Sequence, residues 1–185
     1  YEDFIPFCST FLSFSNYMLP SIRMASLMKI NSLFLFTHDS INIGKDGPTH
    51  QPIEQLANLR SIINLTTFRP ADANELCAVY DYYLREGGAT AVVLPRNKME
   101  MLDGKFKEAQ YGGYVLRAPE KEADIVLYAS GSEVYLALKV ANELSKKYQV
   151  SVVSMPSIDL FERQSVLYKN KVLQRNAKLH VAIEA

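Results

Sequence analysis

Residues 124–155 read DIVLYASGSEVYLALKVANELSKKYQVSVVSM, and this stretch decides the fold class. A buried-strand run, DIVLYA, is followed by a short turn at residues 130–132, a helical run, and a second strand, QVSVVSM. Two strands that are joined through a helix run parallel in one sheet. The stretch therefore predicts a β-α-β unit, which a further helix around residues 161–168 and the strand LHVAIEA extend.

The upstream part of the chain shows the same alternation of helices and strands. Residues 14–28 are spaced as a helix, and SLFLFT at residues 32–37 is suited to a buried strand. Pro52 fits the first turn of a helix through QLANLR, and the strand LTTF follows. Asp72 is placed to cap a helix that runs to about Arg85 and ends at Gly87, before the strand TAVVL.

The stretch from Pro95 to Pro119 loses periodicity and gains charge, which is typical of a linker between domains. The sequence therefore predicts an α/β protein of parallel sheets covered by helices, in two partial domains. We place them at residues 1–116 and 117–185.

Composition excludes several classes of partner. The 185 residues carry 20 lysines and arginines against 20 aspartates and glutamates, so no overall field attracts nucleic acid or an anionic membrane.

Cys8 and Cys77 are far apart and fit no disulfide framework, which favours a reducing compartment. Charged residues and proline interrupt the apolar stretches, so we expect neither a membrane span nor a secretion signal, and a cytoplasmic location.

The loop THDSINIGKDGPTHQP, residues 37–52, is the strongest candidate for a functional site. It leaves the carboxyl end of a predicted strand, where open α/β sheets bind ligands. A turn at Gly44 and Gly47 can return His50 to the cleft of His38, and Asp46 lies between them. Capping roles for these side chains stay an open alternative. A metal site is disfavoured because the histidines lack ligand spacing.

Six segments of the chain, taken together and in this order, resemble transketolase. They are TFLSFSNY, GKDGPTHQPIEQLANLR, FRPAD, VVLPRN, YASGSEVYLAL and VVSMPSIDLF. The resemblance runs along essentially the whole chain. It implies two partial domains: the later part of the family's pyrimidine-binding domain, of the thiamine-diphosphate-binding type, and the start of its C-terminal domain.

The resemblance also implies a reaction. Transketolases transfer a two-carbon ketol unit from a ketose phosphate, such as xylulose 5-phosphate, to an aldose phosphate in the pentose phosphate pathway. They use thiamine diphosphate with magnesium or calcium, and their site lies between the two subunits of a homodimer. The cofactor carries the two-carbon unit as a stabilised carbanion, and protein groups orient the substrate and transfer protons.

By resemblance, two groups of residues serve the site. The aromatic residues around the aminopyrimidine ring of the cofactor are Phe11, Phe14 and Tyr17. The substrate-binding residues are His38, Asp46, His50 and Arg96. Among the latter, His50 is also the catalytic residue, Asp46 reads the sugar hydroxyl configuration, and His38 and Arg96 meet the substrate phosphate, which suits a guanidinium.

The two ends of the chain indicate a piece of a longer protein. The chain opens on YEDFIPF without methionine and closes inside a buried-strand pattern. In the family, the diphosphate and metal domain and a catalytic glutamate precede this region, so we expect the isolated piece to be inactive. The alternatives are a relative of dihydroxyacetone synthase, or a non-catalytic transketolase-like partner subunit.

Overall fold

The computed structural model describes residues 4–102 and 106–184. Within these ranges, eight strands form two four-stranded sheets, and none of the helices there is long and apolar enough to cross a membrane. The strands are β1 (Phe7–Phe11), β2 (Ser32–Thr37), β3 (Thr66–Phe68), β4 (Ala89–Val93), β5 (Tyr114–Arg117), β6 (Ile125–Ala129), β7 (Val150–Ser154) and β8 (Leu179–Ile183). The α-helices are α1 (Leu19–Leu27), α2 (Gln55–Arg60), α3 (Ala73–Glu86), α4 (Glu133–Leu144), α5 (Ile158–Glu162) and α6 (Val166–Leu173).

The first sheet has the strand order β1-β2-β4-β3, and all its strands are parallel. The inner strands β2 and β4 are short apolar runs, as expected where helices cover both faces. Phe36 and Val93 are fully buried and pair in register, and Leu12, Ile22 and Leu59 pack in the same core. The carboxyl ends of β1, β2 and β4 therefore lie at one edge.

The second sheet has the order β5-β7-β6-β8 and is mixed. The predicted β-α-β unit is confirmed as β6, α4 and β7, and β8 extends it in parallel. The α/β class is thus confirmed, with β5 added as an antiparallel edge strand. β5 lies within the predicted linker, and the second sheet begins at Tyr114, slightly before residue 117. Residues 103–105 of that linker lie outside the described ranges.

Three predicted helices differ from the structure. Residues 12–17 form a 3-10 helix and α1 begins only at Leu19, because Pro20 suits the first turn of a new helix. α2 begins at Gln55, three residues after Pro52. The helix predicted around residues 161–168 is two helices, since the Ser165 hydroxyl accepts from Tyr168 N and starts α6.

Other expectations from the sequence hold. β2 has the predicted bounds, and the Asp72 carboxylate caps α3 by accepting from Glu75 N at 2.9 Å. Gly87 ends α3 with a φ of 67°. The strand β1 was not predicted, because its sequence, FCSTF, mixes polar and apolar residues at an exposed sheet edge.

A buried carboxylate joins the two sheets. The Glu75 side chain, from α3, is fully buried and accepts hydrogen bonds from the Tyr114 hydroxyl at 2.9 Å and the Ser154 hydroxyl at 2.5 Å. Ala71 N donates to its other oxygen at 2.7 Å. Burial raises the pKa of Glu75 above its usual value. The cluster fixes α3 against β5 and β7, so the two domains share a polar contact as well as apolar packing.

Gly112, which lies two residues before β5, packs closely against the start of α5. Gly112 has a φ of +86°, and a Cβ there would lie 2.3 Å from Ser157 O and 2.4 Å from Phe161 N. We expect Gly112→Ala to lower the free energy of unfolding by about 3 kcal/mol or more, because backbone atoms must move. Urea unfolding followed by circular dichroism measures the loss.

Gly88→Ala is the matched control. Gly88 has nearly the same φ, +85°, but nothing lies within 4 Å of the added Cβ. This variant should lose only about 1 kcal/mol, the cost of the left-handed backbone alone. If the two variants lose equal amounts of unfolding free energy, steric crowding at Gly112 contributes nothing to the effect.

Candidate active site

The strand ends of the first sheet bring the candidate residues together. Phe11, the last residue of β1, pairs in register with Thr37, the last residue of β2. Arg96 follows β4 on the same edge. Because parallel strands end on one side of the sheet, three separate segments meet there.

Aromatic side chains form one wall of this site. The ring centroid of Phe11 lies 3.9 Å from that of His38 and 5.7 Å from that of His50. Phe14 lies 5.1 Å from His50 and 6.3 Å from Tyr17. The predicted cluster is therefore continuous and includes both histidines, and the Tyr17 side chain is 85% exposed.

The histidine loop folds back as its glycines suggest. Two 3-10 turns, Gly44–Asp46 and Pro48–His50, flank Gly47, whose φ is 80°. Only glycine adopts this conformation without strain. The turn returns His50 to the aromatic wall near His38, as the sequence predicts.

Each of the two histidines in this loop is contacted by the threonine before it. Thr37 Oγ1 lies 3.0 Å from His38 Nδ1, and Thr49 Oγ1 lies 2.9 Å from His50 Nδ1. A hydrogen bond at one ring nitrogen orients the imidazole and leaves the other for a ligand. The sequence analysis did not single out these threonines, although the repeated Thr-His pair in the loop is a visible signal.

Asp46 is the electrostatic centre of the site. Its Oδ2 lies 3.5 Å from Arg96 Nε and 3.8 Å from His38 Nε2. The Asp46 and Arg96 side chains are 37% and 45% exposed, whereas His38 is 14% exposed. Exposed pairs of this kind contribute little to stability. The arrangement instead leaves a guanidinium and a carboxylate open to a polar ligand, beside a largely buried imidazole.

The described residues suit a flat heterocyclic ring of a cofactor better than they suit a metal ion. Aromatic faces suit a flat heterocycle, and the open ring of Tyr17 extends the wall that Phe11 and Phe14 begin. Within residues 4–102 and 106–184, no group of three or more histidine, cysteine, aspartate or glutamate side chains is placed to hold a metal ion. The described residues therefore fit the aminopyrimidine ring of thiamine diphosphate, the cofactor that the sequence resemblance implies. Among these residues there is no metal site of this kind.

Comparison with known families decides the classification. The family model "Transketolase, pyrimidine binding domain" matches residues 1–101, and "Transketolase-like TK C-terminal domain" matches residues 112–185. The chain belongs to the transketolase family. The resemblance of its six sequence segments is thereby confirmed, and thiamine diphosphate is the cofactor on which this family depends.

Individual transketolases are similar along nearly the whole chain. The transketolase of Bacillus subtilis is 47% identical over an alignment that covers 96% of this chain and 28% of that protein. The crystal structure of transketolase from Campylobacter jejuni superposes with a TM-score of 0.87 at 41% identity, covering 98% of this chain and 31% of that one. The chain thus spans less than a third of these relatives.

A second similar structure is described as "Split gene transketolase, inactive beta4 tetramer". It superposes with a TM-score of 0.76 at 26% identity and covers 97% of this chain and 57% of its own. The matched region includes both sheets of this chain.

Proposed function

We propose that this chain is part of a transketolase that transfers a two-carbon ketol unit from a ketose phosphate, such as xylulose 5-phosphate, to an aldose phosphate in the pentose phosphate pathway. One observation carries the proposal: the aromatic wall, both histidines, Asp46 and Arg96 share one edge of the first sheet. Family membership supports it independently.

In this proposal the aromatic wall binds the aminopyrimidine ring of thiamine diphosphate. Phe11, Phe14 and Tyr17 offer ring faces for stacking. When bound, the cofactor supplies the carbon nucleophile and the electron sink that bond cleavage beside a ketone requires. Magnesium or calcium would bind the diphosphate through ligands outside this chain.

His50 is the proposed proton carrier. Its ring packs against Phe14 and Phe11, and Thr49 contacts Nδ1, so the imidazole is held beside the proposed cofactor ring. Imidazole gives up and accepts protons near neutral pH. We therefore assign His50 to proton transfer with the substrate oxygens.

The charged residues are proposed to select the substrate. Arg96 presents a guanidinium, which binds phosphate oxygens in a two-pronged geometry, and His38 contributes a second donor at the same end. Asp46 lies between them and can accept hydrogen bonds from sugar hydroxyls. Together they favour a phosphorylated polyol over a small uncharged donor.

The assembly is likewise a proposal. Because the metal-binding region and catalytic glutamate lie in another part of the family's chain, residues 1–185 form part of a site. We propose that the whole protein is a cytoplasmic homodimer and that this piece alone is inactive. We propose that residues 1–116 belong to the pyrimidine-binding domain and residues 117–185 to the C-terminal domain, and the two matched regions, residues 1–101 and 112–185, support a division in this part of the chain.

A second candidate is a separate partner subunit. The split gene transketolase, whose inactive form is a beta4 tetramer, covers nearly this whole chain in one subunit. This observation favours a chain that acts only with another chain that carries the diphosphate-binding region. The relatives named transketolase give no comparable support to the dihydroxyacetone synthase alternative.

Ketol transfer from xylulose 5-phosphate to ribose 5-phosphate, with thiamine diphosphate and magnesium, tests the proposal. The full-length protein that contains this chain should be active, and residues 1–185 alone should not. Activity restored to the piece by a separate diphosphate-domain chain would favour the partner-subunit candidate. Absence of transfer from every combination would defeat both proposals.

His50→Ala in the active enzyme should lower turnover by about a hundredfold, because a positioned proton carrier contributes about that much or more. Cofactor affinity should change far less, and initial rates with a thiamine diphosphate titration separate the two effects. His180→Ala is the control, since His180 stacks on Tyr128 in the second sheet. Unchanged turnover in His50→Ala would remove His50 from the reaction.

Arg96→Ala should raise KM for xylulose 5-phosphate by about tenfold or more, because a charge-assisted contact to phosphate is lost. KM for hydroxypyruvate, which has no phosphate, should stay within about twofold. Arg85→Ala is the matched control: Arg85 is 49% exposed and pairs with Asp81 on α3. Equal increases for both donors would contradict a phosphate contact.

A further inference from the structure

Arg69 is a buried cation that the proposed reaction does not use. It follows β3, and its side chain has no solvent exposure. Nη2 and Nε donate to Asp39 Oδ2 at 2.7 and 3.1 Å. On its other side, Nη1 donates to Ser130 O and Oγ at 3.3 and 3.2 Å and pairs with Glu133. The guanidinium thus joins the loop after β2 to the second domain.

The backbone around Arg69 is fixed by the second domain as well. Arg69 N donates to Pro156 O at 2.7 Å, and Gly131 N donates to Arg69 O at 3.0 Å. A Cβ on Gly131 would lie 2.8 Å from Arg69 Cγ and Nε. The turn at residues 130–132 therefore needs glycine because the arginine passes so close to it.

Charge balance keeps Arg69 protonated. Burial by itself lowers the pKa of a guanidinium, but the charges of Asp39 and Glu133 outweigh it, so the pKa of Arg69 lies above its usual value. A buried ion pair adds little net stability compared with an apolar replacement. We therefore ask what these contacts do to the position of the backbone around Asp39, and not how much they stabilise the fold.

That geometry acts on the residue beside Asp39. His38 has a φ of 62°, the left-handed conformation, which costs a residue other than glycine about 1–2 kcal/mol. Asp39, 4% exposed, is held by Arg69 and by the Ser132 hydroxyl at 3.2 Å. With Thr37 fixed in β2 and Asp39 held in this way, the backbone between them is constrained at both ends.

We propose that Arg69 is a positioning residue that, through Asp39, holds the left-handed turn at His38 and so sets the imidazole against Phe11 and Asp46. The second domain thereby shapes the proposed phosphate end of the site without lining it. Only the assignment of His38 to phosphate rests on the proposed function, since the positioning itself is a statement about geometry.

Imidazole resonances test the positioning directly. The chain has three histidines, so the ring signals of His38, His50 and His180 can be assigned in a proton-carbon correlation spectrum of residues 1–185. The His38 ring centroid lies 3.9 Å from that of Phe11, so we expect its signals to carry a ring-current shift. Arg69→Met should move the His38 signal toward its random-coil position and leave His180, in the second sheet, unmoved.

Two further variants make the test decisive. Arg69→Lys keeps the positive charge but lacks the planar, two-pronged guanidinium, so it should shift the His38 signal in the same direction by a smaller amount. If Arg69→Met does not fold, the result of Arg69→Lys decides. Arg117→Met is the control, because Arg117, on β5, makes its side-chain hydrogen bonds within the second domain, to Asn142 Oδ1 at 2.5 Å and Ser145 Oγ at 3.5 Å. An unmoved His38 in folded Arg69→Lys, or an equal shift in Arg117→Met, would overturn the proposal.

Kinetics of the full-length enzyme give an independent readout. Arg69→Lys should raise KM for xylulose 5-phosphate by about fivefold and leave KM for hydroxypyruvate within about twofold, because only the phosphate end is displaced. Equal losses for the two donors would indicate a general structural defect and overturn the positioning role. An inactive wild-type enzyme would defeat the proposed function, while the imidazole spectra would still decide the geometry.

Discussion

The in-register parallel pairing of β1, β2 and β4 is the constraint on which the candidate site depends. It sets Phe11 beside Thr37 and brings the chain after β4 to the same edge. Residues that are 85 positions apart in sequence, Phe11 and Arg96, therefore contribute to one surface. A shift of one residue in either pairing would turn alternate side chains to the other face of the sheet.

Backbone strain at this edge of the sheet is concentrated at one residue, His38. Glycines at positions 44 and 47 accept positive φ values without cost, whereas His38 adopts one against its preference. The next residue, Asp39, has its carboxylate buried against Arg69 and Ser132, and in the proposal these contacts compensate the cost at His38. Strained backbone persists only where the surroundings determine it strongly, and functional sites are common places for it.

The second domain is therefore more than an appended unit. Besides apolar packing, its contacts with the first domain include charged and polar ones: Glu75 with Tyr114 and Ser154, and Arg69 with Ser130 and Glu133. Such contacts are directional, so they fix orientation more sharply than apolar packing does. In the proposal made above, this is how the second domain influences the geometry of the site although none of its residues is assigned to bind substrate.

Local patterns in the sequence determined the α/β class, most strands, the cap at Asp72 and the loop of His38 and His50. Apolar runs, capping side chains and turn glycines act over a few residues, so the sequence displays them directly. Only the tertiary structure decided that FCSTF is a strand, that β5 runs antiparallel, and that Arg69 meets Asp39. These features depend on partners distant in sequence, and pairing or burial at such a distance leaves no periodic signal in the chain itself.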